Sequence, residues 1–166
     1  MIVYSIANQK GGVGKTTTTV NLGTALAACG KRVLIVDLDP QGNATSGIGI
    51  SKIGLKQSSY SVMVENAHPK EATVPTAIPG LDLIPATLDL MGAEILLSST
   101  PRREFILRDS LEKISSDYDF VLIDTPPSMG ILSLNSLIAA DKVIVPMQCE
   151  YYALEGLSFL IKSIGQ

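Results

Sequence analysis

A run of glycines and lysines between an apolar segment and a helical segment constrains this chain more than any other feature. The apolar segment Ile2–Ala7 leads directly into Lys10–Thr17, which reads Lys-Gly-Gly-Val-Gly-Lys-Thr-Thr. Residues 16–29 then carry small and aliphatic side chains over a helical length, and Gly30 follows where a helix C-cap glycine belongs. A strand, a glycine-rich loop and a helix in this order direct backbone N–H groups toward an anion. The segment therefore predicts a phosphate-binding loop.

The details of the loop indicate a nucleotide. The general P-loop pattern is a glycine, four residues and then Gly-Lys-Ser/Thr; here Gln9 occupies the position of the first glycine, so the match is a variant. We expect Lys15 to bind the β- and γ-phosphates of ATP and the Thr16 hydroxyl to ligate Mg²⁺. The predicted nucleotide-binding residues are Lys10, Gly11, Gly12, Val13, Gly14, Lys15, Thr16 and Thr17.

Carboxylates follow two other short apolar runs. Val33–Val36 is followed by Asp37 and Asp39, and Phe120–Ile123 is followed by Asp124. Ligands of open α/β sheets bind at the carboxyl ends of the parallel strands, so these acids are expected near the phosphate loop. Asp124 is the candidate that meets Mg²⁺ through water, as in a Walker B element. For Asp37 a structural role is as plausible as a functional one.

The alternation of apolar runs with helical patterns predicts an α/β fold, a P-loop NTPase with a mostly parallel sheet and helices on both faces in three layers. Two more runs read as strands, and a polar stretch from 48 to 80 reads as a surface excursion. The additional strands are Leu81–Ile84 and Val143–Val145, and the additional helices are about 58–65, 87–98, 102–115 with Pro101 at its start, and 128–140.

Composition supports one domain over residues 1–166 and limits the functions. The formal charge of −3 argues against a strongly basic nucleic-acid surface. No apolar run approaches the roughly 18–20 residues that span a bilayer, and no signal peptide is evident. Cys29 and Cys149 have neither metal-site nor disulfide-framework spacing, which fits reduced thiols in a cytosol.

A second lysine, Lys10, just before the glycines marks the deviant form of the Walker A motif, and with it the chain resembles the ParA/Soj family of partitioning ATPases, within the ParA/MinD group. The resemblance runs from Met1 to the end of the chain. Its other motifs are Asp-Leu-Asp-Pro-Gln-Gly-Asn from Asp37, Asp-Thr-Pro-Pro from Asp124, and the segment Val145–Gly156.

The resemblance implies particular roles for several residues. Lys10 would reach across a nucleotide-sandwich homodimer to the phosphates bound by the partner, where a cation stabilises the charge of phosphoryl transfer. Asp39 would orient the attacking water and help to hold the Mg²⁺ environment. Glu150 would reach a ribose across the dimer, although a solvated loop glutamate is an equal alternative.

The family also implies a biological setting: an ATP-switched dimer in chromosome or plasmid segregation, slow ATP hydrolysis stimulated by a ParB/Spo0J-type partner, nonspecific DNA binding, and a cytoplasmic, nucleoid-associated location without membrane attachment. Family members usually continue for several more strands and helices, so the chain is expected to be truncated at its C-terminus. The DNA-binding surface would then belong mostly to regions absent here.

Three alternatives remain open. A MinD-like membrane-cycling regulator would need an amphipathic helix in the region that is expected to be absent. A redox protein like the nitrogenase iron protein would need cluster-binding cysteines around Asp124, which Cys29 and Cys149 do not supply. A truncated chain could also bind nucleotide without turnover.

Two groups of residues are expected to be surface features without a catalytic role. His68 stands alone in the polar excursion. The cations of the 102–115 helix are interrupted by acids, which favours a solvated face over a DNA-binding one. These cations are Arg102, Arg103, Arg108 and Lys113.

Overall fold

The structure, a computed structural model, describes residues 1–148, and of Glu94 only the backbone. Its centre is a six-stranded sheet in the order β3-β4-β2-β5-β1-β6. All neighbouring strands are parallel except β3, which pairs antiparallel with β4 at one edge. The strands are β1 Ile2–Ile6, β2 Val33–Asp37, β3 Val74–Pro75, β4 Leu81–Ile84, β5 Phe120–Asp124 and β6 Lys142–Ile144.

Helices cover both faces of the sheet. They are α1 Lys15–Ala28, α2 Asn43–Gly47, α3 Ser59–Val64, α4 Pro69–Ala72, α5 Ala93–Leu97, α6 Ile106–Glu112 and α7 Ile131–Ala139, with 3₁₀ turns at Leu88–Gly92 and Arg103–Phe105. One apolar cluster joins α1 and α2 to the sheet, and a second joins α3, α5, α6 and α7 to the other face. The predicted three-layer P-loop fold is confirmed.

The central strands are apolar throughout because both of their faces are covered. In β2, Leu34 and Val36 pack into one cluster while Val33 and Ile35 pack into the other. All four side chains are at most 1% exposed. Successive side chains of a strand point to opposite faces, so a strand between two helical layers needs apolar residues at every position.

Helix α1 lies unusually close to the sheet at Gly23. A Cβ atom at this position would come within 2.8 Å of Ile35 Cδ1 and 3.4 Å of Leu122 Cδ1. A larger residue would push α1 away from β2 and β5. Since α1 begins at Lys15, this contact also fixes the distance between the glycine-rich loop and the strand ends.

Two predicted helices are shorter than expected. The 87–98 pattern divides at Gly92 into a 3₁₀ turn and α5. The 102–115 helix does not start at Pro101, because Arg102 adopts a left-handed conformation (φ 56°) and only a 3₁₀ turn follows before α6. A left-handed residue cannot continue a right-handed helix, so the apolar spacing alone overestimated the length of the second helix.

The excursion at 48–80 contains more structure than predicted. Besides the expected short helix α3 it holds α4 and β3, and α4 is capped by His68, whose Nδ1 accepts a hydrogen bond from the Lys70 N–H at 3.3 Å. Lys70 Nζ pairs with Asp117 at 2.9 Å. The exposed His68 therefore has a local structural role.

The cations after Pro101 interact with their own neighbours. Arg102 and Arg108 stand over the Phe105 ring at 5.1 and 4.7 Å. Both also pair with Asp109, at 3.6 and 3.1 Å. These contacts agree with a solvated face. Over residues 1–148, no helix is both long and apolar enough to cross a membrane.

The contrast between a buried and an exposed isoleucine tests this core. We expect Ile35→Ala to lower the free energy of unfolding by about 2–5 kcal/mol, because Ile35, on β2, is completely buried where the sheet packs against α1. Ile53→Ala is the matched control: Ile53 is 92% exposed, so a change of less than about 0.5 kcal/mol is expected. Urea unfolding measures both, and equal effects would contradict the assigned core.

Candidate functional site

The loop between β1 and α1 has the backbone of a phosphate cradle. Gly12 and Gly14 adopt positive φ angles of 74° and 92°, which residues with a Cβ rarely accept. Gly14 is the N-cap of α1, and no side chain caps the helix there. The first N–H groups of α1 are consequently available to an external acceptor, and the helix dipole favours an anion at this position.

A cleft of about 520 Å³ opens beside this loop. Loops that follow β1, β2 and β5 meet there, as expected for the carboxyl edge of an open parallel sheet. Its lining residues are Gly11, Gly12, Gly14, Lys15, Thr16, Thr17, Asp39, Gln41, Asn43 and Pro127. Most of the predicted nucleotide-binding loop and one predicted carboxylate therefore share a single cleft.

Lys15 is the buried cation of the cleft. It is 7% exposed, and its Nζ donates a hydrogen bond to the Lys10 carbonyl oxygen at 3.3 Å. Burial lowers the pKa of the Lys15 ammonium, while the nearby carboxylates of Asp124 and Asp39 oppose that effect. An anionic ligand in the cleft would attract the Lys15 ammonium group and so raise its pKa.

Asp124 lies at the end of β5 and is completely buried. Its two carboxylate oxygens accept hydrogen bonds from the hydroxyl groups of Thr16 at 2.7 Å and Thr19 at 3.2 Å. The pKa of Asp124 is raised to about 7, mainly by burial and also by the negative charges of Asp37 and Asp39, against the lowering effect of the two threonine hydroxyls. A cation bound here would favour the charged carboxylate.

The oxygen atoms of the Thr16, Asp124 and Asp39 side chains suit a hard cation that also binds water and phosphate oxygens. The Thr16 hydroxyl and the Asp124 carboxylate are in contact, and Asp39 lines the same cleft. Within residues 1–148, no three His, Cys, Asp or Glu side chains form a metal-binding cluster. Mg²⁺ typically takes one or two protein ligands together with water and phosphate oxygens, and these residues fit that pattern.

Asp37 and Asp39, two residues apart, have different surroundings. Asp39 is 8% exposed and its Oδ1 accepts a hydrogen bond from the Gln41 N–H at 2.9 Å. Asp37 is fully buried and binds Thr45 through both the backbone N–H and the hydroxyl, at 2.8 and 2.7 Å. Burial raises the pKa of Asp37 to about 6. Of these two acids, only Asp39 lines the cleft.

Lys10 lies at the outer side of the loop. Its Nζ donates to Gln148 Oε1 at 3.3 Å, and Gln148 Nε2 donates in turn to the Gly12 carbonyl oxygen at 3.4 Å. Asn8 accepts a hydrogen bond from the Lys10 N–H at 3.0 Å and donates to the Pro146 carbonyl oxygen at 2.8 Å. The segment after β6 is thus joined to the phosphate loop. Glu150 and Cys149 lie outside the described residues.

Several site residues were not predicted from the sequence. Thr19 follows Thr16 by three residues on the same helix face, so its contact with Asp124 was detectable from helical spacing. Asn8, Thr45 and Gln148 make contacts with residues distant in the chain. Gln148 lies within the segment Val145–Gly156, but nothing in that segment indicated its contact with the phosphate loop.

Comparison with known proteins agrees with this geometry. A family model for an AAA domain matches residues 1–166. The sporulation initiation inhibitor protein Soj of Bacillus subtilis is 54% identical over 98% of this chain, and the chromosome partitioning protein ParA of Caulobacter vibrioides is 55% identical over 98%. The chain belongs to the ParA/Soj family. It spans 64% and 61% of the lengths of these two ParA/Soj relatives.

A solved structure has the same fold over nearly the whole chain. It is a cobyrinic acid a,c-diamide synthase from Mycobacterium smegmatis with a bound ATP analogue and magnesium, at a TM-score of 0.94 and 45% identity. The alignment covers 99% of this ParA/Soj chain and 67% of that protein. A nucleotide and magnesium are therefore bound by a protein with this fold.

The raised pKa of Asp124 predicts a pH-dependent stability in the absence of Mg²⁺. A carboxyl group whose folded-state pKa is raised stabilises the fold when protonated, and that contribution is lost as the pH rises through the folded value of about 7. The free energy of unfolding of the wild type, relative to Asp124→Asn, should thus be larger at pH 5 than at pH 8. We expect a difference of about 2 kcal/mol.

Asp119→Asn is the control for this measurement. Its hydrogen bonds with Arg32 lower the pKa of Asp119 to about 2, so the carboxylate stays charged from pH 5 to 8 and its substitution should add no pH dependence there. Urea unfolding at a series of pH values measures both. A wild-type advantage over Asp124→Asn that is constant with pH would contradict the buried, neutralisable carboxyl.

Proposed function

We propose that this chain binds ATP with Mg²⁺ in the cleft beside the glycine-rich loop and hydrolyses it. The observation that carries the proposal is the direct contact of the Thr16 hydroxyl with the Asp124 carboxylate at 2.7 Å, next to the buried Lys15. Cation ligands and a phosphate-binding cation are thereby adjacent at one helix N-terminus. That combination matches the requirements of phosphoryl transfer.

Each residue of the cleft has a role in this proposal. The N–H groups of Gly11–Thr17 and the Lys15 ammonium hold the phosphates, while Thr16 and Asp124, the latter through water, hold Mg²⁺. When bound, Mg²⁺ neutralises the negative charge of the phosphate oxygens. Asp39 orients the attacking water and contributes to the surroundings of the cation. Its carboxylate is held toward the cleft by the Gln41 N–H.

Lys10 acts in trans in the proposed mechanism. Its exposed Nζ lies on the outer side of the loop, where the Gln148 amide holds it at 3.3 Å. In an ATP-bound homodimer it would reach the phosphates held by the partner subunit and stabilise the charge that develops on the γ-phosphoryl oxygens. Hydrolysis in one subunit would then depend on dimerisation, which accounts for slow turnover until a partner protein stabilises the active dimer.

The biological role proposed is the segregation of chromosomes or plasmids together with a ParB/Spo0J-type partner and nonspecific DNA. The names of the Bacillus and Caulobacter relatives, at 54% and 55% identity, support it. Residues 1–166 would form the ATPase domain, with DNA and partner contacts mostly in segments that those longer proteins have in addition. A cytoplasmic, nucleoid-associated location follows from the same role.

A second candidate function comes from the Mycobacterium smegmatis protein at 45% identity, named as a cobyrinic acid a,c-diamide synthase. By its name, such an enzyme forms a diamide of cobyrinic acid. Phosphate release stimulated by cobyrinic acid and an ammonia donor would favour it, whereas stimulation by DNA and a ParB-type protein favours partitioning. Binding to liposomes with ATP would instead indicate a MinD-like regulator.

Turnover by lysine variants tests the proposed mechanism. We expect Lys10→Ala to lower ATP hydrolysis at least about a hundredfold, because the loss of a trans cation removes charge stabilisation in the transition state. Lys31→Ala is the matched control, since Lys31 is exposed beyond the other end of α1. Phosphate release with ATP and Mg²⁺, with and without DNA, measures both variants.

The molar mass in solution completes this test. A wild-type dimer that forms with ATP and Mg²⁺ and not without them is expected, since both nucleotides lie between the subunits in the proposed arrangement. Equal turnover of Lys10→Ala and Lys31→Ala would refute the trans lysine. A permanent monomer without turnover would show that dimerisation and hydrolysis need the remainder of the longer family fold.

A further inference from the structure

Asp37 and Thr45 form a buried contact that the proposed mechanism does not use. We propose that they are a positioning pair, which holds the loop bearing Asp39 in place for hydrolysis. This loop, residues 38–44, is called the Asp39 loop below. The inference rests on the proposed ATPase function, because Asp39 is the group that the pair would position.

The pair closes the Asp39 loop at its two ends. Asp37 Oδ2 accepts hydrogen bonds from both the Thr45 N–H, at 2.8 Å, and the Thr45 hydroxyl, at 2.7 Å. Asp37 Oδ1 accepts from the Asp39 N–H at 3.2 Å. Both residues are 0% exposed. Since its two oxygens bind only donors of this loop and its end, Asp37 is suited to positioning rather than to contact with a ligand.

The same pair attaches the loop to a neighbouring strand. The Thr45 hydroxyl oxygen accepts a hydrogen bond from the Ala86 N–H, just after β4, at 3.0 Å. Thr45 therefore bridges the ends of β2 and β4, which are adjacent parallel strands. The threonine hydroxyl both donates and accepts here, so no aliphatic side chain of similar shape could replace it.

A close approach at Gly42 also places the Asp39 loop against the end of β4. A Cβ atom at Gly42 would lie 3.1 Å from the Ala86 carbonyl oxygen, and Gly42 has a φ of 60°. The Gly42 N–H also donates to the Asp39 carbonyl oxygen at 2.8 Å. The loop thus lies tightly on the end of β4 at Gly42 and is bonded to it through Thr45. Along the chain, Asp39 lies between the end of β2 and these two attachments.

Two substitutions of Thr45 separate positioning from a general structural effect. Thr45→Val removes the hydroxyl at nearly constant shape, whereas Thr45→Ser retains it. In ATP hydrolysis we expect kcat of Thr45→Val to fall about tenfold or more, since small displacements of a catalytic group cost this much. KM should stay within about twofold, because the phosphate loop is unaffected. Thr45→Ser should keep kcat near the wild-type value.

Hydrogen exchange of the backbone amides gives a readout that does not depend on turnover. The amides of residues 38–45 should exchange faster in Thr45→Val than in the wild type, while those of α1 and β5 remain unchanged. Thr73→Val is the matched control: the Thr73 hydroxyl donates to the Pro69 carbonyl oxygen at 2.9 Å in the distant excursion. It should alter neither kcat nor exchange in the Asp39 loop.

Unchanged kcat in Thr45→Val, or a fall in kcat that Thr45→Ser does not restore, would overturn the proposal. If Thr45→Val does not fold, Gly42→Ala tests the attachment from the other side and should likewise lower kcat with little change in KM. If the wild type itself hydrolyses no ATP, the proposed function fails. Hydrogen exchange of Thr45→Val then tests the positioning pair without turnover. Faster exchange confined to residues 38–45 supports the pair, and unchanged exchange overturns it.

Discussion

The register of two parallel strands is the constraint on which the rest of the site depends. It places Asp37 and Asp124 directly opposite each other at the ends of β2 and β5, and both are fully buried. A buried carboxylate must receive hydrogen bonds or lose its charge. Thr45 supplies them to Asp37 from α2, whereas Thr16 and Thr19 supply them to Asp124 from α1. One acid is therefore tied to the scaffold, and the other to the helix that starts at the phosphate loop.

The sequence predicted the structure best where side chains follow the regular apolar pattern of a buried strand. Apolar runs such as Val33–Val36 identified the buried strands because both faces of the sheet are covered. The length of the 102–115 helix was overestimated, because the left-handed Arg102 has no marker among the apolar spacings. The carboxylates at strand ends were predictable from sheet geometry, whereas the division between Asp37 and Asp39 was indicated by the family resemblance and not by that geometry. That division depends on Thr45 and Ala86, which are brought together only by folding.

Contacts with the segment after β6, the edge strand beside β1, hold the outer side of the phosphate loop in place. Asn8 and Gln148 join the loop to the segment after β6, so Lys10 is held beside its own subunit's β6 end. In the proposed dimer it would exchange this neighbour for the partner's phosphates. Hydrolysis in the proposed mechanism would therefore depend on the association of two subunits.

The Mg²⁺ dependence of ATP binding is the strongest test of a cation site formed by Thr16 and Asp124 at the nucleotide. Equilibrium titration with a fluorescent ATP analogue, with Mg²⁺ and with a chelator, would compare the wild type with Thr16→Val and with Thr24→Val, a control farther along α1. Mg²⁺ should tighten ATP binding to the wild type and to Thr24→Val by about tenfold or more, and Thr16→Val should lose this gain while keeping Mg²⁺-free binding. Equal Mg²⁺ dependence in all three proteins would contradict it.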